Sequence, residues 1–336
     1  MKKKTSLIAL LLVFVFIVTG CGQQQAAAPK KEDFVLKIGY SGSLCEAPVH
    51  MAQEKGFFEQ EGLKVELIKL APGTAFEAIT AGKVEAGFGL LASLIQPLSN
   101  GLPIKITSGL HTGCDKVLAP RDSGIKTLAD LKGKRIGVPS MNSSPIIYAK
   151  RTLADAGIGI SEKNMEVEFV VFSPSELALA LQRGAIDAIA MNDPVASVTK
   201  KEYDLVTLSD SALTKPYSDQ YCCNAYVSDK LAKDHPDIAA KYTRAMQKAS
   251  EWIQSNQSEA TQLQVDKKWV PGDPVFNASV LKTYNYIPSA QGAYDAFTIT
   301  AKQLQEVGML DKSIDVEALK KNSFLKIADI KSPIQN

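Results

Sequence analysis

Short apolar runs rich in β-branched residues alternate along the chain with longer stretches of helical spacing. That alternation predicts an α/β fold with largely parallel sheets. Residues 36–40 read as a first strand. Pro48 sits where a helix starts, a place that suits its missing N–H, and the helix runs to Gly56. A strand at 65–70, a helix at 76–81, a turn at Gly82 and a buried strand at 84–89 follow. The same order recurs about a hundred residues on: strand 167–172, helix 177–183, a turn at Gly184, strand 185–190. An opening strand near 134–138 and a helix at 145–156 precede this second copy. Two similar α/β lobes with a cleft between them are the simplest reading.

The N-terminus carries a different signal. Lys2, Lys3 and Lys4 precede an apolar run from Leu7 to Val18, which ends in Thr19-Gly20-Cys21. The run is short for a permanent membrane span, and basic residues before it with small residues after it fit an export signal. The polar, low-complexity stretch that follows reads as a tether. The formal charge of +2 falls when residues 1–20 are removed, because three lysines leave and 35 basic residues face 36 acidic ones. No basic block points to nucleic acid.

Several segments together carry a family resemblance: Ala52-Gln53-Glu54-Lys55-Gly56-Phe57-Phe58, Ala81-Gly82-Lys83-Val84-Glu85-Ala86, Leu128-Ala129-Asp130-Leu131-Lys132-Gly133-Lys134-Arg135-Ile136-Gly137-Val138 and Gln182-Arg183-Gly184-Ala185-Ile186-Asp187-Ala188. From about residue 36 to 255 the chain resembles the nitrate/sulfonate/taurine (NMT1/SsuA-like) solute-binding proteins of ABC importers. The N-terminus resembles a lipoprotein signal, with residues 1–20 as signal peptide, Cys21 as the lipidated residue and 21–33 as tether. The resemblance implies a periplasmic-binding-protein-like (type II) Venus flytrap. Residues 34–119 and 221–336 would form lobe 1 and 120–220 lobe 2, with crossings near Ala119-Pro120-Arg121 and residues 216–220. Lobe 1 would be completed by helices at 236–255 and 290–307, with Trp252 and Trp269 as packing residues. It further implies an extracytoplasmic, monomeric binding protein, anchored by lipid and working with a permease and its ATPase. No Gly-x-x-x-x-Gly-Lys-Ser/Thr run gives the chain an ATP site of its own.

Ligands of open α/β lobes bind beyond the carboxyl ends of strands, where helix N-termini offer free N–H groups to anions. The loops so nominated are 41–48, 72–76, 90–93, 111–114, 140–145 and 192–194. Their candidate binding residues are Cys45, Thr74, Leu91, His111, Cys114, Asn142, Ser143, Ser144, Asn192 and Asp193. With Cys21 set apart, Cys45, Cys114, Cys222 and Cys223 all fall at predicted cleft positions. Thiolates favour soft metals and iron–sulfur clusters, so Cys45, His111, Cys114, Cys222 and Cys223 are candidate metal ligands, with His50 as an optional one. In an extended strand only one of Cys222 and Cys223 would face the ligand. Disulfide pairing and simple packing stand as the other two readings of these cysteines. The solute is thus either a thiophilic metal or iron–sulfur species or a small organic anion such as a sulfonate. No cofactor is expected as a catalyst. An enzyme of the pyrimidine-synthase type, which shares the fold, is the alternative from another class.

Overall fold

The structure is a computed structural model describing residues 34–71 and 73–335. The signal peptide, Cys21 and the tether lie outside the described residues. Among those described, no helix is long and apolar enough to cross a membrane.

Two five-stranded sheets organise the body from Val35 onward. The first collects β1 (Val35–Tyr40), β2 (Lys64–Lys69), β3 (Ala86–Leu90) and β4 (Ile104–His111). The second collects β5 (Asp115–Pro120), β6 (Arg135–Val138), β7 (Glu168–Val171), β8 (Ala188–Asn192) and β9 (Leu205–Asp210), after which β10 (Cys223–Ser228) returns to the first. The orders are β2-β1-β3-β10-β4 and β9-β5-β8-β6-β7. In each sheet one strand runs against the other four: β10 pairs antiparallel with β3 and β4, and β5 with β8 and β9. These are the strands by which the chain enters each lobe, so the sheets are mixed at the crossings and parallel elsewhere.

This pairing corrects the expected boundary. Residues 115–120, assigned to lobe 1 in the sequence reading, hydrogen-bond within the second sheet. The outward crossing therefore lies at Thr112–Cys114, not near Ala119-Pro120-Arg121, and the return occupies the stretch between Asp210 and Cys223. A strand's partner is a long-range choice that its own apolar pattern does not encode.

Both copies of the repeated unit form. Between β2 and β3 stands α1 (Ala75–Thr80), and between β7 and β8 stands α2 (Pro174–Gln182). Each helix ends on a glycine in the left-handed region, Gly82 at φ 68° and Gly184 at φ 66°, the conformation that closes a helix and that a β-carbon disfavours. In lobe 1 the helix Pro236–Ser255 buries Tyr242, Ala245, Met246, Ala249 and Ile253 at helical spacing, and Tyr242 Oη donates to the Gly87 carbonyl at 2.6 Å. Trp269 stacks on buried His50 with ring centroids 4.4 Å apart, and Lys55 sits over Trp252.

Candidate functional site

A narrow cavity opens between the lobes where the two crossings meet. Lobe 1 lines it with Leu90, Leu91 and Ala92 at the end of β3, with Thr300, and with Tyr221 and Cys222 just before β10; lobe 2 adds Asp115, Ser144, Tyr148, Arg151, Ser211 and Tyr217.

Helix α3 (Ser144–Asp155) supplies three of these side chains. Ser144, Tyr148 and Arg151 follow one another at i, i+4 and i+7, one stripe of the helix, while Ile146, Ile147 and Leu153 pack into lobe 2. Arg151 is 7% exposed. Its Nε donates to Gln303 Oε1 at 3.0 Å and its Nη2 to Gln220 Oε1 at 2.6 Å, and its plane lies over the Tyr217 ring. Those acceptors are neutral, and among the described residues Arg151 makes no ion pair and its Nη1 no hydrogen bond. Burial holds its pKa below the ordinary value. A buried cation with unused donors at a cavity wall is a receiver for an oxyanion.

Asp115, also on the wall, accepts from Ser144 Oγ at 2.9 Å. Burial above all pushes its pKa up to about 7, against the opposing pull of the Ser144 hydroxyl. Deeper, Lys116 Nζ joins Asp193 Oδ2 at 2.9 Å and Asp210 Oδ2 at 2.8 Å. Burial works to lower the Lys116 pKa, and the two carboxylates more than offset it.

The cysteines converge. The Sγ atoms of Cys45, Cys114 and Cys223 lie within 4.8 Å of one another, and all three residues are buried. Cys222, half-buried, places Sγ 3.1 Å from that of Cys114. All four are free thiols, with no disulfide among them. Cys223 reaches the trio and Cys222 touches Cys114 from the cavity side, so both members of the pair make contacts, where strand alternation allowed for one.

His111 is close by but its ring is committed. Nε2 and Nδ1 each lie 3.0 Å from a backbone carbonyl, of Cys45 and Thr112 respectively, and the ring stacks on Tyr284. It braces the turn that carries Cys45 and is not placed as a metal ligand. His50 has Nδ1 3.0 Å from Gln264 Nε2 and stands outside the thiol group.

Other expected ligand residues do not reach the cavity. Thr74 is exposed and donates to the Ala71 carbonyl, and Asn142 accepts from Ser140 Oγ on the surface. Ser143 Oγ donates to the Ser140 carbonyl at the start of α3. Each closes its own loop, the competing role of such residues. Asn192 pairs with Asp115 within the sheet, and Asp193 is held in the Lys116 network. Leu91, Ser144 and Cys222 do line the cavity. Arg151, Tyr148, Tyr217 and Gln220 were not foreseen. For Tyr148 and Arg151 the signal was their spacing of four and seven residues from Ser144; Tyr217 and Gln220 carried none.

Two mixed α/β lobes around a cavity of this kind define the class of periplasmic-binding-protein-like folds. The family model described as NMT1/THI5 like matches residues 46–260, and the chain belongs to that family. A protein of Bacillus subtilis (strain 168) named for aliphatic sulfonate binding is 28% identical over 334 residues, covering 97% of each chain. A 4-amino-5-hydroxymethyl-2-methylpyrimidine phosphate synthase of Aspergillus parasiticus is 26% identical over 71% of this chain and 72% of its own length. Among solved structures, the periplasmic aliphatic sulphonate binding protein SsuA from Escherichia coli superposes with a TM-score of 0.71 at 18% identity, over 90% of this chain and 95% of that one.

Proposed function

We propose that this chain is the extracytoplasmic solute-binding component of an ABC importer, a monomer held at the membrane by lipid on Cys21. It captures a small anion between its lobes, closes, and presents the closed form to a permease driven by its ATPase. The observation that carries the reading is Arg151: a buried guanidinium on the cavity wall, contacted from lobe 1 by Gln303 and making no ion pair among the described residues, with Asp155 and Asp115 acting on it only from a distance. An oxyanion bound there would touch both lobes and favour closure. The Bacillus relative, similar over almost its whole length, supports a sulfonate as the first candidate.

Calorimetric titration with nitrate and a series of aliphatic sulfonates tests this. One of them should bind, and Arg151→Gln should weaken it by about 100-fold, the cost of removing one side of a buried charged contact. Equal affinity in the variant would refute the role of Arg151. The ligand should be recovered chemically unchanged, which separates a receptor from the enzyme that the Aspergillus relative's name raises. Fatty-acid labelling that disappears in Cys21→Ala tests the anchor.

A second reading is favoured by the thiol cluster: the cargo is a thiophilic metal ion.

A further inference from the structure

The four thiols come from three separated segments. Cys45 lies in the turn after β1, Cys114 in the outward crossing, and Cys222 with Cys223 at the end of the return. We propose that Cys45, Cys114 and Cys223 form a three-coordinate site for one thiophilic metal ion of the copper(I) class, with Cys222 as the thiol that passes the ion between cavity and site. The inference concerns what the thiols bind, goes beyond the anion cavity, and stands whether or not the ion is the imported cargo.

The donor set selects the metal. The nearby oxygen groups are committed elsewhere, and the imidazole beside Cys223, that of His111, has each nitrogen on a carbonyl. Glu46 accepts from the backbone of Ser41, Gly42 and Ser43, and Asp115 from Ser144. Sulfur alone remains, and thiolate sites select copper(I), zinc or iron–sulfur clusters. Zinc in buried structural sites takes four ligands in a tetrahedron, whereas only three of the four sulfurs lie within 4.8 Å of one another. A cluster would have to seat iron and sulfide between the sulfurs, and sulfurs within 4.8 Å of one another leave no such space. One ion with bonds of about 2.3 Å to three sulfurs needs them about 4 Å apart, which small side-chain rotations provide.

Cys114 itself holds φ 133°, a conformation uncommon for a residue with a β-carbon. That backbone sets its sulfur between Cys222 on one side and Cys45 and Cys223 on the other. On coordination each of the three thiols releases one proton to water as its sulfur bonds the incoming monovalent ion, and no electron is transferred.

The test uses the protein purified under reductant without oxygen and titrated with copper(I) held by bicinchoninate as competing chelator. One equivalent should be withdrawn, with a near-ultraviolet sulfur-to-copper band and an X-ray absorption shell of three sulfurs. Cys45→Ser and Cys223→Ser should each weaken binding by about 100-fold or more, with folding checked by thermal melting. Cys222→Ser should keep stoichiometry and affinity while slowing exchange with the chelator. Arg151→Gln should keep copper binding, so failure of this site and failure of the anion reading remain distinct. No copper withdrawn by the wild-type protein, binding unchanged when all three cysteines are replaced, a shell containing nitrogen or oxygen, or uptake of iron with sulfide would overturn the proposal.

Discussion

Tyr284 Oη donates a hydrogen bond to Asp193 Oδ2 at 2.8 Å, and the two residues belong to different lobes. Tyr284 lies on the segment that Asn285 and Ser289 fasten to lobe 1, through Thr112 and Gly109. Asp193 follows β8 of lobe 2. The contact therefore ties the two lobes together beside the crossing, and Tyr284→Phe removes it without emptying space. A hydrogen bond to a charged group contributes about 1.5–3 kcal/mol, so the variant should shift toward the open form. Affinity for the cavity anion should fall by about tenfold or more, because the apparent constant scales with the closed fraction. Small-angle scattering should show a larger radius of gyration for the ligand-free variant. Unchanged affinity and radius would mean that the bond latches nothing.

Lys116 is the cation between two buried carboxylates. Its side chain and those of Asp193 and Asp210 are each less than a tenth exposed. Lys116→Met would leave two charges buried without their partner, a change costing about 3–5 kcal/mol. For a body of this size the melting temperature should fall by on the order of 10 °C. A second change, Asp210→Asn in the Lys116→Met background, should recover part of the loss. If the single variant melts within about 2 °C of the wild type, the triad is not a stabilising unit.

The repeated strand–helix–glycine–strand unit was legible because its signals are local: periodicity, and Gly82 and Gly184 at the turns. The thiol convergence was partly legible, since Cys45, Cys114, Cys222 and Cys223 each stand at a strand end, although sequence could not say which would touch. The crossing was misplaced by several residues because the pairing of β5 with β8 and β9 is a long-range choice that its own residues do not encode. Arg151 was missed for a related reason. An arginine two turns into a helix resembles a solvent-facing one until a second lobe covers it with Gln303. Thr74, Asn142 and Ser143 drew attention by type, but caps and binding groups share the same residues.

His50 makes the body acid-sensitive. Burial lowers its pKa to about 3, and its Nε2 has no partner among the described residues. The unfolded chain takes up a proton near pH 6.5, while the folded one refuses it until about pH 3. Above pH 6.5 the residue is neutral in both states and contributes no pH dependence. As pH falls through that window, stability drops by about 1.4 kcal/mol per unit on account of this group. His50→Gln removes the titration, so urea unfolding at pH 7, 5.5 and 4.5 should show the variant losing less stability than the wild type. Parallel curves would place the acid sensitivity elsewhere.

The 3.1 Å contact between Cys114 and Cys222 sets the outcome of oxidation. Cys222 is the half-buried one of the four cysteines and the one whose sulfur reaches the cavity wall. Burial above all holds its thiol well above the usual pKa, so attack should be slow at neutral pH and quicken in alkali. Diamide should accept two electrons and two protons from this pair and leave one disulfide, Cys114–Cys222, with Cys45 and Cys223 still reduced. Peptide mapping by mass spectrometry after alkylation would read the pairing, and Cys222→Ser should abolish it. Copper(I)-loaded protein should resist the reagent, because Cys114 is then committed to the metal. A product in which Cys222 is not joined to Cys114 would overturn the pairing, and equal reaction with and without copper would show that Cys114 does not hold the metal.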